Sequence, residues 1–315
     1  MIQNPISWPD GAKCAVAVTF DMDADSLIHQ AYPADGISRI SALSMLRYGP
    51  EVAVPRILET FKRLDLQQTF FVPAWCIEQY PSIVKAMVDG GHEVSHHGYL
   101  HESPLAQSRE DEQYWLQRGI EIIKNITGRR PRGWRAPLYY FSGNSADLLI
   151  EEGFLYDASL MGDDIPYVLK TDKGELIEIP SHMGLDDWPQ FVQFADLDYW
   201  MPIKAPSKGV AVFREEFDVM YEHGGLWVSV WHPFATGRLA CWSNVVELIE
   251  YMKAKGDVWF ARLEDIARHV RQCIDDGSYT PRTDNLPYYT SKVSTKPQRA
   301  ASSQKKMEKP ERLDK

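Results

Sequence analysis

Cysteine is scarce in this 315-residue chain: Cys14, Cys76, Cys241 and Cys273 are scattered, with no CxxC pair among them. That excludes a zinc knuckle or a disulfide framework and leaves four reduced, mostly buried thiols. Long hydrophobic runs are also missing. Stretches such as Cys14–Phe20 are far too short to span a bilayer. The first residues, MIQNPISWPDGAK, have neither the basic nor the apolar region of a secretory signal, so a cytoplasmic protein is expected. Positive charge is in deficit, with 34 Lys and Arg against 44 Asp and Glu and a net charge of −10. This argues against nucleic acid or a membrane surface as partner.

What the chain does have is core-forming material. It is 44% hydrophobic and 12% aromatic, enough for a large interior in one domain of α/β barrel size. CAVAVTFDMD is apolar to Phe20 and then abruptly acidic, the pattern of a strand buried on both faces. VPRILETFKRL follows as a helix with Pro55 in its first turn. Strands QTFFVPAW, HEVSHHG, GWRAP, ELIEIP, GLWVSVWHP and VWFARL then alternate with helical segments. Those segments include YPSIVKAMVDGG, REDEQYWLQRGIEIIKNITG and NVVELIEYMKAKG. Strand–helix alternation predicts a parallel sheet, and this many units favour a deformed (β/α) barrel in a single domain over residues 1–290. Residues 291–315 carry a charge of about +5 and almost no large apolar side chain, so this segment is expected to be a disordered basic tail.

Two clusters carry chemistry. TFDMDADS places Asp21, Asp23 and Asp25 at the end of the first strand, where alternation aims them to one side. Carboxylates this close repel unless a cation joins them. Four of the nine histidines lie within ten residues: His92, His96, His97 and His101. His97 and His101 are four apart, a spacing that lets two imidazoles converge. One carboxylate and two imidazoles would hold a divalent metal with open positions for water and substrate. Each cluster alone reads equally well as a solvated acidic loop or a set of surface histidines. Their shared position at strand ends, where β/α folds place function, favours the metal.

The motifs TFDMD, HEVSHHGYLH, GWRAP, DDWP and VSVWHP occur in an order that resembles the polysaccharide deacetylase (NodB homology) superfamily. The chain is most similar to the branch of peptidoglycan-deacetylase-like proteins and cyclic imide hydrolases, over roughly Trp8 to Val270. The resemblance implies Asp21 as general base and Asp23, His97 and His101 as metal ligands. It also implies Arg135 as the residue orienting the base, His232 as general acid, and the Leu138 N–H as oxyanion donor. Met22 separates two aspartates that are adjacent in most of the superfamily, a spacing found in the branch named. Either Asp186 or Asp187 fits the acid that tunes His232, with Asp187 favoured. Trp188, His182 and His96 are expected to line the substrate site.

The implied activity is hydrolysis of an amide-type carbon–nitrogen bond other than a peptide bond. One divalent metal is expected, with zinc ahead of manganese, cobalt, nickel or iron. Long inserts, Ser26–Gly49 and Asp163–Trp200, are placed to close the barrel mouth. They favour a small-molecule substrate: a cyclic imide, a ureide or an N-acyl compound. The alternatives are N-deacetylation of peptidoglycan or a chitin-type polysaccharide, and a non-catalytic binding module on the same fold. The branch also implies a homo-oligomer.

Overall fold

The computed structural model describes residues 2–292; the basic segment expected to be disordered lies almost wholly outside them. In chain order the strands are β1 (Cys14–Ala17), β2 (Thr19–Asp21), β3 (Thr69–Val72), β4 (Glu93–His96), β5 (Gly133–Trp134), β6 (Tyr156–Asp157), β7 (Tyr167–Thr171), β8 (Gly174–Glu178), β9 (Leu226–Val228), β10 (Val258–Phe260) and β11 (Thr283–Asn285). Strands β2, β3, β4, β5, β6 and β8 run parallel in that order. A second sheet has the order β10–β1–β9, also parallel.

The opening strand belongs to both sheets because its ladder is interrupted once. The Val18 N–H turns to Gln68 Oε1 (2.6 Å) and the Thr19 N–H to Ser229 Oγ (2.9 Å). Below this break the strand sits between β10 and β9; above it, β2 pairs with β3. The ring is then joined by single bridges, Phe20 to Trp231 and Val230 to Asp186, and by Ser181 Oγ donating to the Val228 carbonyl (2.8 Å). The expected barrel is thus deformed, with isolated contacts where a regular barrel has a continuous ladder.

Helices cover the outside as the sequence pattern dictates. Val54–Leu64 buries Val54, Ile57, Phe61 and Leu64, one apolar stripe at helical spacing. Arg109–Thr127 starts at Ser108, whose hydroxyl accepts the Asp111 N–H, and stops at Gly128 in the left-handed conformation. Among the described residues no helix is long and apolar enough to cross a membrane. Two features lie outside the pattern read from the sequence. β7 and β8 form an antiparallel hairpin, with β11 added beyond β7. A long helix, Pro206–His223, also covers β9 and packs on the helix Leu239–Lys253.

The base of the barrel is held by a buried carboxyl. Glu93 accepts from Thr69 Oγ1 (2.8 Å), Tyr156 OH (2.8 Å) and the Glu264 N–H (3.0 Å), so it fastens the helix Leu263–Asp275 beneath the strands. Tyr156 reaches Glu93 across Gly133, where an added Cβ would lie 1.9 Å from the phenol ring. Gly133→Ala should therefore lower stability by about 1–3 kcal/mol through overpacking. A drop in the urea midpoint with an unchanged m-value would register this.

Candidate metal and active centre

Strand ends at one rim supply the site. β2 delivers Asp21, and the chain then turns through Ala24, whose φ of 48° is left-handed. Asp23 faces the cavity from this turn. Asp25 does not: it is carried into the start of helix Ser26–Ala31 and accepts from Tyr80 OH (2.6 Å). The expectation that all three acids share one side fails because the strand stops at Asp21, so alternation no longer applies.

β4 delivers the histidines, and here alternation decides. His97 and His101 converge on Asp23, their ligand atoms and a carboxylate oxygen all within 4.8 Å of one another. His96 points the other way. Its Nε2 reaches the Leu116 carbonyl (3.1 Å) and its ring fills a notch over Gly119 in the helix Arg109–Thr127. Burial pushes its pKa down to about 3, so it packs as a neutral ring. His96 is therefore not a substrate wall. His92 likewise packs in the core between Phe61 and Phe70. His101 takes a left-handed φ of 63°. The loop before it is pinned by Glu102, which accepts the backbone N–H groups of Tyr99 (2.8 Å) and Leu100 (2.6 Å).

The donor set fits a divalent metal. His97 Nδ1 lies 2.7 Å from the Arg135 carbonyl, which can only accept, so in the neutral ring the lone pair is on Nε2. That lone pair faces Asp23 Oδ1 at 3.3 Å, and His101 Nε2 faces Oδ2 at 3.6 Å. Asp23 Oδ1 is buried with no hydrogen-bond partner. The His97 lone pair facing an unpartnered, buried carboxylate oxygen is unfavourable, and a cation between them removes the conflict.

Around this group stand the other expected residues. Arg135 Nη1 donates to Asp21 Oδ1 (2.6 Å) and to Thr19 Oγ1 (3.0 Å), while Nε donates to the Ala158 carbonyl (3.0 Å). His232 Nδ1 pairs with Asp187 Oδ1 (2.7 Å), and its Nε2 lies 3.4 Å from Asp23 Oδ2. Burial opposes charge on His232, but the carboxylates of Asp187 and Asp23 together outweigh burial and hold its pKa well above the ordinary value. Asp187, not Asp186, is the partner of His232. Its second oxygen is filled by the N–H groups of His232 and Thr236 and by the Thr236 hydroxyl.

These groups open into a cavity of about 620 Å³. Leu138, Tyr139 and Trp188 line it, with Trp188 edge-on to the His232 ring at 5.6 Å. His182 does not line it; it lies outside, 3.4 Å from Glu216, so its expected place in the pocket is corrected. Both long inserts contribute wall: Leu27 and Gln30 from the first, Asp186, Pro189, Leu197 and Tyr199 from the second. The inserts meet where Tyr32 OH donates to the Asp196 carbonyl (2.6 Å) and Arg39 pairs with the Asp196 carboxylate (2.7 Å). Sequence reasoning missed Thr19, Glu102 and Tyr139. Glu102 directly follows His101, a local signal that was available; Tyr139 acts on Asp186 across 47 positions, and no local pattern reveals that.

Comparison with known proteins gives a consistent set of likenesses. The family model described as polysaccharide deacetylase matches residues 42–156. A Helicobacter pylori peptidoglycan deacetylase is 28% identical over 278 residues, covering 80% of this chain and 95% of that one. A solved Mycobacterium smegmatis structure assigned to the polysaccharide deacetylases superposes with a TM-score of 0.85 at 39% identity, covering 91% of this chain and 99% of that one. The PuuE allantoinase structure superposes with a TM-score of 0.74 at 27% identity, covering 89% and 96%.

Two neighbouring histidines make a sharp test of this geometry. His97→Ala should lose the bound metal, measured by elemental analysis after zinc loading. His96→Ala should keep it and instead lower the melting temperature. Equal metal content in folded preparations of both variants would contradict the assignment.

Proposed function

This chain belongs to the polysaccharide deacetylase family, and we propose that it is a metal-dependent hydrolase of an amide-type carbon–nitrogen bond in a small substrate, such as a cyclic imide, a ureide or an N-acyl compound. The observation that carries this reading is one cavity holding three parts. They are the Asp23–His97–His101 donor set, a carboxylate braced by arginine and an imidazole braced by a second carboxylate.

Asp23, His97 and His101 would hold the metal. When bound, it supplies Lewis-acid polarisation of the scissile carbonyl and of a water molecule. The chain's own residues do the rest. Asp21 has one oxygen committed to Arg135, which leaves Oδ2 to take a proton from the attacking water. Arg135 fixes that carboxylate in place through its further contacts to Thr19 and Ala158. The Leu138 N–H, at a left-handed turn on the rim, is assigned to the developing oxyanion. His232 is oriented by Asp187 through Nδ1, so Nε2 is the nitrogen free to protonate the departing amine.

A small substrate is supported by the two inserts that wall the cavity and by the likeness to PuuE allantoinase. The second reading, N-deacetylation of peptidoglycan or a chitin-type sugar, is favoured by the nearly full-length likeness to the Helicobacter pylori peptidoglycan deacetylase. Assaying the zinc-loaded protein on cyclic imides, ureides and N-acetylated glycan oligomers side by side separates them. Turnover of imides or ureides with none on the oligomers is expected; the reverse pattern would establish the deacetylase.

A pH profile tests the acid. His232 must be protonated to act, and a raised pKa keeps it so to higher pH, with activity lost as pH rises through that value. Asp187→Asn removes the larger of the two raising charges, the other being Asp23. The alkaline limb of kcat should therefore move to lower pH, with metal content retained.

A further inference from the structure

We propose that Asp186, braced by Tyr139, is the specificity-determining residue of this cavity and accepts the N–H of a neutral substrate at its scissile nitrogen. The inference rests on the hydrolase reading above and adds what that reading leaves open: how the substrate nitrogen is recognised.

Position comes first. Asp186 lines the same cavity as Asp21, Asp23 and His232, and one of its carboxylate oxygens lies within 4.8 Å of an imidazole nitrogen of His232. A group on the cavity wall beside the His232 ring is within reach of a substrate whose nitrogen is presented to that ring. Asp187 is consumed by His232 and Thr236, so the neighbouring Asp186 is the carboxylate left over for a ligand.

The carboxylate is held but not saturated. Its Oδ1 accepts the Trp188 N–H (2.8 Å) and its Oδ2 accepts the Tyr139 hydroxyl. A carboxylate oxygen has two lone pairs, so each keeps one to offer. Asp186 is 3% exposed, which limits the water available to fill that capacity. The brace is built at a cost in backbone strain. Leu138 and Tyr139 are consecutive non-glycine residues with φ of 57° and 59°, a region that L side chains rarely occupy. That turn, in the loop after β5, brings the Tyr139 hydroxyl to Asp186.

Charge selects the ligand class. Among the described residues lining the cavity there is no lysine or arginine, and its outer wall is mainly apolar, with Leu27, Met183, Trp188 and Leu197. Three carboxylates, Asp21, Asp23 and Asp186, line the cavity, and the cationic groups facing them, His232 and a metal on Asp23, are already engaged by those acids, so Asp186 favours a neutral ligand over an anionic one. A neutral imide or ureide presents what the wall lacks, an N–H polarised by flanking carbonyls. A buried acceptor left without its donor is costly, which is how a site built to bond an N–H rejects an analogue without one.

The test compares glutarimide with N-methylglutarimide. Binding is measured by calorimetry on zinc-loaded Asp21→Asn protein, and turnover on the zinc-loaded wild type. Glutarimide should bind at least tenfold more tightly than its N-methyl analogue. Asp186→Asn keeps the side-chain volume but replaces an acceptor by an amide donor, and should bring the two affinities to within about threefold. Tyr139→Phe should give an intermediate ratio. Asp186→Ala serves in its place if the asparagine variant does not fold. A ratio unmoved by either Asp186 substitution, or no preference for the N–H compound at the outset, overturns the proposal. Asp186-dependent binding without wild-type turnover would sustain it and remove the imide hydrolase reading. Turnover with no Asp186 dependence would do the opposite, and absence of imide binding would end both.

Discussion

A guanidinium sits in the barrel where water does not reach it. Arg135 is fully buried, stacked 4.2 Å from the Phe71 ring, and bonded to Asp21 at 2.6 Å. Ions are expensive to bury, and truncating one partner of such a pair typically costs about 3–5 kcal/mol because the other is left unpaired. The same residue ties β5 to β2 through Thr19 and Asp21, and to the segment after β6 through Ala158. Its carbonyl takes the Nδ1 side of His97 and so sets which nitrogen faces Asp23. One residue thus positions Asp21 and His97, and binds three strand ends together. The geometry of the centre and the integrity of the ring are one problem.

Work is divided between the barrel and its inserts. The strand ends carry the residues proposed to act on the amide: Asp21, Asp23, His97, His101, Arg135 and His232. The inserts carry the wall and the acceptor that would choose among amides: Leu27, Asp186, Trp188 and Leu197. They are joined by their own apolar cluster, in which Ile28 and Leu46 pack with Val192 and Phe194.

Much of this was legible in sequence because strong local patterns coincide with strand ends. An apolar run that turns acidic located β1, β2 and Asp21; helical spacing with Pro55 located Val54–Leu64; histidines four apart located His97 and His101. What failed were claims that depended on side-chain direction beyond a strand end. Asp25 was lost to the turn at Ala24, His96 to the opposite face of β4, and His182 to a loop that leaves the cavity. The hairpin of β7 and β8 escaped because ELIEIP reads as one more buried strand, with nothing in it to specify an antiparallel neighbour. Helix Pro206–His223 escaped because Gly209 and its β-branched valines blur its periodicity. The choice of Asp187 over Asp186 was settled only by a contact across 45 positions to His232.

The notch over Gly119 has a consequence for how this molecule can change. Residues 96 and 97 are both histidine, so composition alone does not say which one belongs in the centre; only register does. A slip of one position along β4 would turn His97 into the helix and present its neighbour to Asp23. Gly119 works against such a slip, because it leaves room for one ring at one height. The strand is keyed like a lock, and insertions or deletions within it would be read as errors. Past the strand end no ring has to meet a notch, and the loop that carries His101 is free of that constraint.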